Sequence, residues 1–283
     1  MNDMRSVTAV ITTYRRPARL VHCLRGVFAQ TYPGVEAVVI HDGAAPGLAE
    51  LLKREFPEEF LKGSLTLHQT PSWNGRPAPG RNLGIALSRG EFVAFCDDDD
   101  YWFPEKIELQ LACLDQSPEC DGVFSDYHVR FDEEPVIYDR SISQDKFEAK
   151  ATIVGVRELI RRNGLCLSSS LLRKAALPEK LFPEARFCRA FEDWCAWLKL
   201  SLSGSKFAFI EDELLSYLAN NPTSIRKGRV SHNFRLISYS VPVLIGSGRY
   251  VEAGMFLASR FAALGRGLRP SRGGRASPAQ HGV

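Results

Sequence analysis

No run of about 18 unbroken apolar residues occurs in the 283-residue chain, so no transmembrane helix is expected. The opening MNDMRSVTAVITTYRR lacks a basic start, a long apolar core and a small-residue cleavage site, and a secretory signal is not expected. The 7 cysteines are odd in number and form no CxxC pair. That pattern argues against a disulfide frame or a zinc site and for reduced thiols in the cytosol. GxSxG, HExxH and P-loop sequences are also missing. With 22 Gly and 16 Pro the chain is too poor in both for collagen or most low-complexity classes, and it shows no internal repeat.

What is present is the make-up of a globular protein, 45% apolar and 24% charged. The length suits one large α/β domain with an appendage, or two small domains. Charge is divided unevenly. Residues 1–225 hold 26 Lys+Arg against 32 Asp+Glu, a net of −6, and residues 226–283 hold 10 against 1, a net of +9. A basic segment on an acidic body either meets an anionic partner (a membrane surface, nucleic acid or phosphates) or only keeps the chain in solution.

The N-terminal half alternates strand and helix signals. Apolar runs at Ser6–Thr13, Val35–Ile40 and Phe92–Cys96 read as buried parallel strands, with a short strand at Leu65–Leu67. Helices are expected from Pro17 to about Gln30, over Leu48–Glu55 and over Arg81–Ser88, and residues 70–80, rich in Pro and Gly, read as a loop. This order implies a parallel sheet covered by helices on both faces. Beyond Pro104 the expected helices are Glu105–Asp115, Arg157–Asn163, Glu192–Leu202, Ser231–Ile245 and Tyr250–Leu264. Strands are expected at Gly122–Arg130, Val136–Tyr138, Ser168–Leu172, Phe207–Ile210 and Leu214–Leu218. The chain after Gly265 reads as a disordered tail. The expected divisions are 1–225, 226–265 and 266–283.

The strongest chemical feature is FCDDDDYWFP, residues 95–104, in which an apolar strand runs into four carboxylates, Asp97–Asp100. Open parallel sheets bind ligands at the carboxyl ends of their strands. Adjacent carboxylates repel one another and need a cation or full solvation. In extended chain Asp97 and Asp99 face one way and Asp98 and Asp100 the other, and one such pair suits a hard ion such as Mg²⁺ or Mn²⁺. A solvated acidic turn is the plain alternative. An EF-hand is disfavoured, because its Gly and distal Glu are missing. Glu192-Asp193 opens a helix, where the macrodipole favours an ionised carboxylate fit to act as a base, or simply as a cap. Thr12-Thr13-Tyr14 and Asp42-Gly43 end the first two strands, where Tyr14 either stacks on a base or packs in the fold, and Asp42 either accepts from a base N–H or ribose hydroxyl or serves the Asp-Gly turn.

Together these pieces resemble the inverting glycosyltransferases of family 2, with the GT-A fold. The resemblance rests on strand-TTYRRP, a helix ending AQTY, VEAVVIHDG, GRNLGIALSRGEFVAFCDDDDYWFP and FEDWCAWLKL, and it covers roughly residues 5–225. It implies a mostly parallel central sheet with flanking helices, followed by C-terminal helices. It places Thr12 and Tyr14 at the nucleotide base, Asp42 at uracil or ribose, and Arg81 and Asn82 near the nucleotide. Asp97 and Asp99 become the two acids of the DxD motif, holding Mn²⁺ or Mg²⁺, with Asp98 between them counted among the donor-binding residues. Asp193 becomes the catalytic base. The implied partners are a UDP-sugar and a glycan or lipid-linked acceptor, with no nucleic acid. The implied location is the cytoplasm, with peripheral membrane contact through the basic C-terminus. The sequence departs from the family pattern at His41 and Ala44, at Gly80, and at Tyr217-Leu218-Ala219-Asn220, where the family often has Tyr-Arg-x-His. Asn220 or His232 would have to replace that His. Two other functions fit parts of the pattern. One is a non-catalytic nucleotide-sugar binding module. The other is a sugar-1-phosphate nucleotidyltransferase, although TTYRRPAR lacks the Gly-rich loop that enzyme uses.

Overall fold

A computed structural model describes residues 5–131, 151–162, 165–219 and 229–267. Asn220, the strand expected at Val136–Tyr138 and nearly all of the expected tail lie outside the described residues. The chain divides into two compact units, Met1–Ile225 and Arg226–Val283.

The first unit is built on one mixed sheet. Strands β1 (Val7–Thr13), β2 (Val35–Asp42), β3 (Leu65–Thr70) and β4 (Phe92–Asp97) run parallel in the spatial order β3-β2-β1-β4. They are parallel because each crossover carries a helix back over a face. Helix α1 (Pro17–Phe28) starts on a proline that needs no N–H partner there, and buries Leu20, Leu24 and Val27. The crossover from β2 to β3 holds two helices, α2 (Leu48–Glu55) and α3 (Pro57–Lys62), of which the second has no counterpart among the expected elements. Helix α4 (Pro77–Leu87) begins four residues before the expected Arg81, since Pro77 and Pro79 sit in a first turn whose N–H groups go unused in any helix. It lies so close on β1 that a Cβ on Gly84 would be 2.2 Å from Val10 Cγ1.

The sheet then changes direction. A two-residue strand β5 (Tyr101–Trp102) precedes helix α5 (Lys106–Gln116), and β6 (Gly122–Arg130) follows. Strand β7 (Ala151–Val154) leads to helix α6 (Val156–Arg162). The strand expected to begin at Ser168 begins instead at Leu171. Ser169 and Ser170 donate to Cys166 O and Leu167 O, and wind residues 167–169 into a 3-10 turn ahead of β8 (Leu171–Arg173). Helix α7 (Glu192–Leu202) follows, and then β9 (Phe207–Leu218), a single strand where two were expected. Glu211-Asp212 mimics a turn in sequence. It is absorbed as a register shift against β6, with Ser125 opposite Ile210 and Asp126 opposite Glu213. Strand β9 pairs with β6 in parallel and with β5 and β7 antiparallel, while β8 joins β4 to β6.

The second unit contains helices α8 (Arg229–Gly246) and α9 (Tyr250–Gly267), joined by a three-residue turn and packed on each other. Among the described residues no helix is long and apolar enough to cross a membrane.

Candidate active site

The carboxyl ends of β1, β2 and β4 lie side by side, with Thr12 opposite both Ile40 and Asp97, and Thr13 opposite His41. The acid run leaves β4 here. It does not stay extended, because Asp100 N–H donates to Asp97 O at 3.1 Å and closes a tight turn. The expected alternation is therefore lost. Carboxylate oxygens of Asp97, Asp99 and Asp100 lie within 4.8 Å of one another, and Asp98 points elsewhere. Asp98 is buried, accepts from Thr13 Oγ1 at 2.7 Å and pairs with Arg16 Nη1 at 3.0 Å. Burial, reinforced by the charge of Asp99, pushes its pKa up to about 7. Asp99 is half-buried and faces Arg16 at 3.1 Å and Arg19 at 3.8 Å. Its backbone carbonyl accepts from Arg130 at 2.7 Å. Asp100 is buried, accepting from Ser168 Oγ at 2.5 Å and Leu218 N at 3.2 Å. Burial and the neighbouring Asp99 and Asp97 hold its carboxyl well above the usual range. Three crowded carboxylates, two of them half-buried, form a donor set of hard oxygens that fits Mg²⁺ or Mn²⁺.

Arg81 ties this cluster to a second pair of acids. One guanidinium nitrogen bonds Asp97 Oδ1 at 2.7 Å and the other bonds Glu192 Oε1 at 3.1 Å. Arg81 and Glu192 are both buried. Burial alone would lower the Arg81 pKa, but Asp97, Glu192 and Asp193 raise it overall. Burial raises that of Glu192 despite the guanidinium beside it. Arg81 Nε and Glu192 Oε2 have no hydrogen-bond partner among the described residues. Asp193, one residue on, sits half-exposed in the first turn of α7 and accepts from Trp194 N at 2.8 Å. The peptide entering α7 is held in the left-handed region at Ala190, with φ +73°. The two acidic motifs, about 95 residues apart in sequence, thus stand on either side of one arginine.

The other expected residues are brought to the same sheet end but hold loops there. Asp42 is buried with its carboxylate accepting from the backbone N–H of Trp73 and of Gly75, the latter at 2.6 Å. The ring of Tyr14 packs against Gly75 and under the Arg15 guanidinium, 4.9 Å from the ring centre. Asn82 makes a two-way bond with Phe182, Nδ2 to O at 2.8 Å and N to Oδ1 at 2.9 Å, and also donates to Glu184 at 3.0 Å. His41 folds back, Nδ1 lying 2.9 Å from Gly43 O. Thr12 is half-buried between Ile40 and Asp97, its methyl facing Gly80. His232 lies on α8 in the second unit, and its side chain is outside the described residues.

Several participants have no signal of their own in the sequence. Arg16, Arg19, Arg130 and Ser168 join the cluster only through the fold. Lys106 is fully buried, donating to Gln110 Oε1 at 2.8 Å and Ser170 O at 3.4 Å, with its ammonium 4.1 Å from the centre of the Trp102 ring. Burial lowers its pKa to about 7.

Comparison with known proteins identifies the family and the fold. The family model described as Glycosyl transferase family 2 matches residues 8–176. An uncharacterized glycosyltransferase of Rickettsia bellii is 31% identical over 196 residues, which is 69% of this chain and 26% of the relative. The glycosyltransferase GlyG of Streptococcus pneumoniae is 25% identical over 227 residues, 78% of this chain and 73% of that protein. The chain spans only 26% to 31% of the length of the Rickettsia relatives. Among solved structures, S. aureus TarS in complex with UDP-GlcNAc superposes with a TM-score of 0.69 at 19% identity, over 91% of this chain and 73% of that one. The mannosyltransferase PcManGT of Pyrobaculum calidifontis, in complex with GDP-Man and Mn²⁺, superposes with a TM-score of 0.61 at 16% identity, over 94% and 76%. At these identities the two structures establish the fold, a GT-A type α/β architecture. With the family model covering more than half of the sequence, the chain belongs to glycosyl transferase family 2.

Proposed function

We propose that this transferase moves a sugar from a UDP-sugar to a hydroxyl of a glycan or lipid-linked acceptor, with inversion at the anomeric carbon. The observation that carries the proposal is the buried guanidinium of Arg81, which holds Asp97 on one side and Glu192, next to Asp193, on the other. Family membership favours transfer over the binding-module and nucleotidyltransferase alternatives. UDP-GlcNAc in TarS and GDP-Man with Mn²⁺ in PcManGT support a nucleotide sugar as donor and a divalent ion as cofactor. Asp97, Asp99 and Asp100 would hold that ion. When bound, it would supply positive charge against the diphosphate leaving group.

Asp193 takes the proton of the acceptor hydroxyl as that oxygen attacks the anomeric carbon from the face opposite the diphosphate. The new C–O bond forms as the bond to the diphosphate oxygen breaks, and one displacement inverts the centre. Asp193 stands in the first turn of α7, where the helix dipole favours negative charge. Tyr14 and Thr12 would meet the base or ribose. Asp42 and Asn82 would shape the nucleotide pocket through the loops at residues 73–75 and 182–184. The described cysteines are all free, in keeping with a reaction in the cytoplasm. The test is Asp193→Asn, assayed by release of UDP from UDP-sugars in the presence of Mn²⁺. Transfer falls by about 10²-fold or more while donor binding stays near wild type. Wild-type turnover in the variant would remove Asp193 as the base.

A further inference from the structure

The turn at residues 167–169 and the residue after it are held by three side chains of one neighbouring segment. Trp102 Nε1 donates to Ser168 O at 2.9 Å, Gln110 Nε2 to Ser169 O at 2.6 Å and Lys106 Nζ to Ser170 O at 3.4 Å. Three successive carbonyls are thus each met by a side chain, one from β5 and two from α5. Lys106 also donates to Gln110 Oε1 at 2.8 Å, which leaves the amide NH₂ facing the turn. All six residues are buried. An apolar pair of similar bulk would fill the space of Lys106 and Gln110 without desolvating an ammonium and an amide. Packing alone does not account for them.

The network ends at the acid cluster. Ser169 and Ser170 use their hydroxyls locally, on Cys166 O and Leu167 O. Ser168 turns its own to the acids: Oγ accepts from Asp97 N–H at 3.0 Å and donates to Asp100 Oδ2 at 2.5 Å. Because the backbone N–H occupies a lone pair, the hydroxyl hydrogen is left for the carboxylate. One hydroxyl therefore links the first and last residues of the acid turn, which the bond from Asp100 N–H to Asp97 O closes. The other oxygen of Asp100 accepts from Leu218 N at 3.2 Å. We propose that Ser168 is a positioning residue that sets Asp97 and Asp100 for a divalent cation, and that Trp102, Gln110 and Lys106 act through it by fixing its turn. The inference rests on the reading of Asp97, Asp99 and Asp100 as the cation site. Partners that hydrogen-bond a ligating carboxylate govern its orientation without touching the ion, and losing one weakens metal binding by about 10- to 100-fold.

The experiment is titration of the full chain with Mn²⁺, first alone and then with UDP, read from the electron paramagnetic resonance of the free ion. It is run at a temperature where circular dichroism shows every variant folded. Ser168→Ala keeps all three acids and should weaken Mn²⁺ binding by about tenfold or more. Lys106→Met/Gln110→Met alters neither Ser168 nor any acid and should weaken it in the same direction. Added to Ser168→Ala, the methionine pair should cost less than about twofold more, because both act through one hydroxyl. A purely structural network would lower the melting temperature and leave Mn²⁺ affinity at the wild-type value, and that result would overturn the proposal. Losses that multiply in the triple variant would overturn the route through Ser168. If Ser168→Ala does not fold, wild-type Mn²⁺ affinity in the methionine pair overturns the proposal by itself. A wild-type chain that takes up no Mn²⁺ in either condition would overturn the cation site and this proposal together. Mn²⁺ uptake without release of UDP from UDP-sugars would overturn the transferase reading alone.

Discussion

Replacing Arg81 with methionine keeps an apolar stem of similar bulk and removes the guanidinium that spans Asp97 and Glu192. Glu192 is then a buried acid with neither oxygen bonded by a side chain, since Oε2 already lacks a partner. Breaking a buried pair from one side costs about 3–5 kcal/mol, because a charge is left uncompensated. Glu192 can escape part of that cost by taking up a proton, so the lower end, about 3 kcal/mol, is the working figure. For a unit of this size about 1 kcal/mol corresponds to 2–4 °C, so the melting temperature should fall by about 6–12 °C. The pH dependence has a definite sign. Without Arg81 the folded-state pKa of Glu192, already raised by burial, rises further above its ordinary 4.5. A group raised in this way stabilises below its unfolded pKa and loses that contribution as pH rises through the folded value. The deficit of Arg81→Met is therefore small near pH 4.5 and grows toward pH 8. Adding Glu192→Gln removes the stranded charge and should recover part of the loss, with a coupling of about 1–3 kcal/mol in the double-mutant cycle. The assays are scanning fluorimetry across pH and calorimetric titration with UDP. If Arg81 instead binds donor directly, UDP affinity drops while the melting temperature stays within about 2 °C of wild type, and the bridging role is refuted.

Asp99→Ala should abolish the Mn²⁺ dependence of nucleotide-sugar binding in calorimetry, and unchanged Mn²⁺ dependence would remove Asp99 from the ion site. Lys106→Met isolates the buried lysine. Its pKa is lowered to about 7 in the fold and is 10.5 in the open chain. Above pH 7 the folded chain therefore binds fewer protons than the unfolded one. Wild type should gain stability on the variant by up to about 1.4 kcal/mol per pH unit between those values, read from urea melts at pH 7 to 10. A flat difference would mean that Lys106 stays charged over Trp102. Gly84→Ala tests packing against propensity. Helix propensity favours Ala by about 1 kcal/mol, but a Cβ 2.2 Å from Val10 forces α4 off β1, and a net loss of about 1–3 kcal/mol should appear in chemical denaturation.

The parallel half of the sheet was legible because its strands are buried on both faces and write themselves as apolar runs: Val7–Thr13, Val35–Asp42 and Phe92–Asp97. The acid run stood out for a similar reason, since four adjacent carboxylates at a strand end have few structural uses. Partner choice was harder to read. Arg81 and Glu192 are 111 residues apart, and nothing in GRNLGI says which acid its arginine will meet. Asp100 was assigned to the wrong face because alternation holds only while the chain is extended, and one backbone hydrogen bond ends that. Lys106 and Gln110 are polar in sequence yet fully buried, paired four residues apart on one helix face, and hydropathy alone puts them in water. Strand β9 was expected as two strands, Phe207–Ile210 and Leu214–Leu218, because a polar bulge interrupts an apolar run just as a turn does.

Strand β9 has a consequence for how the chain comes together during synthesis. Among the described residues it is the only partner of β5 and β7, and the neighbour of β6 on one side. A ribosome delivers it after all of them. Until Leu218 has emerged, strands β5 and β7 wait with open edges, the condition that favours association with other chains. The acid cluster waits as well, for the Leu218 amide closes on Asp100 only when β9 arrives. Nascent chains cut anywhere before that residue should aggregate, and the competence to hold a cation should appear as a late event of folding, set by the last strand to join.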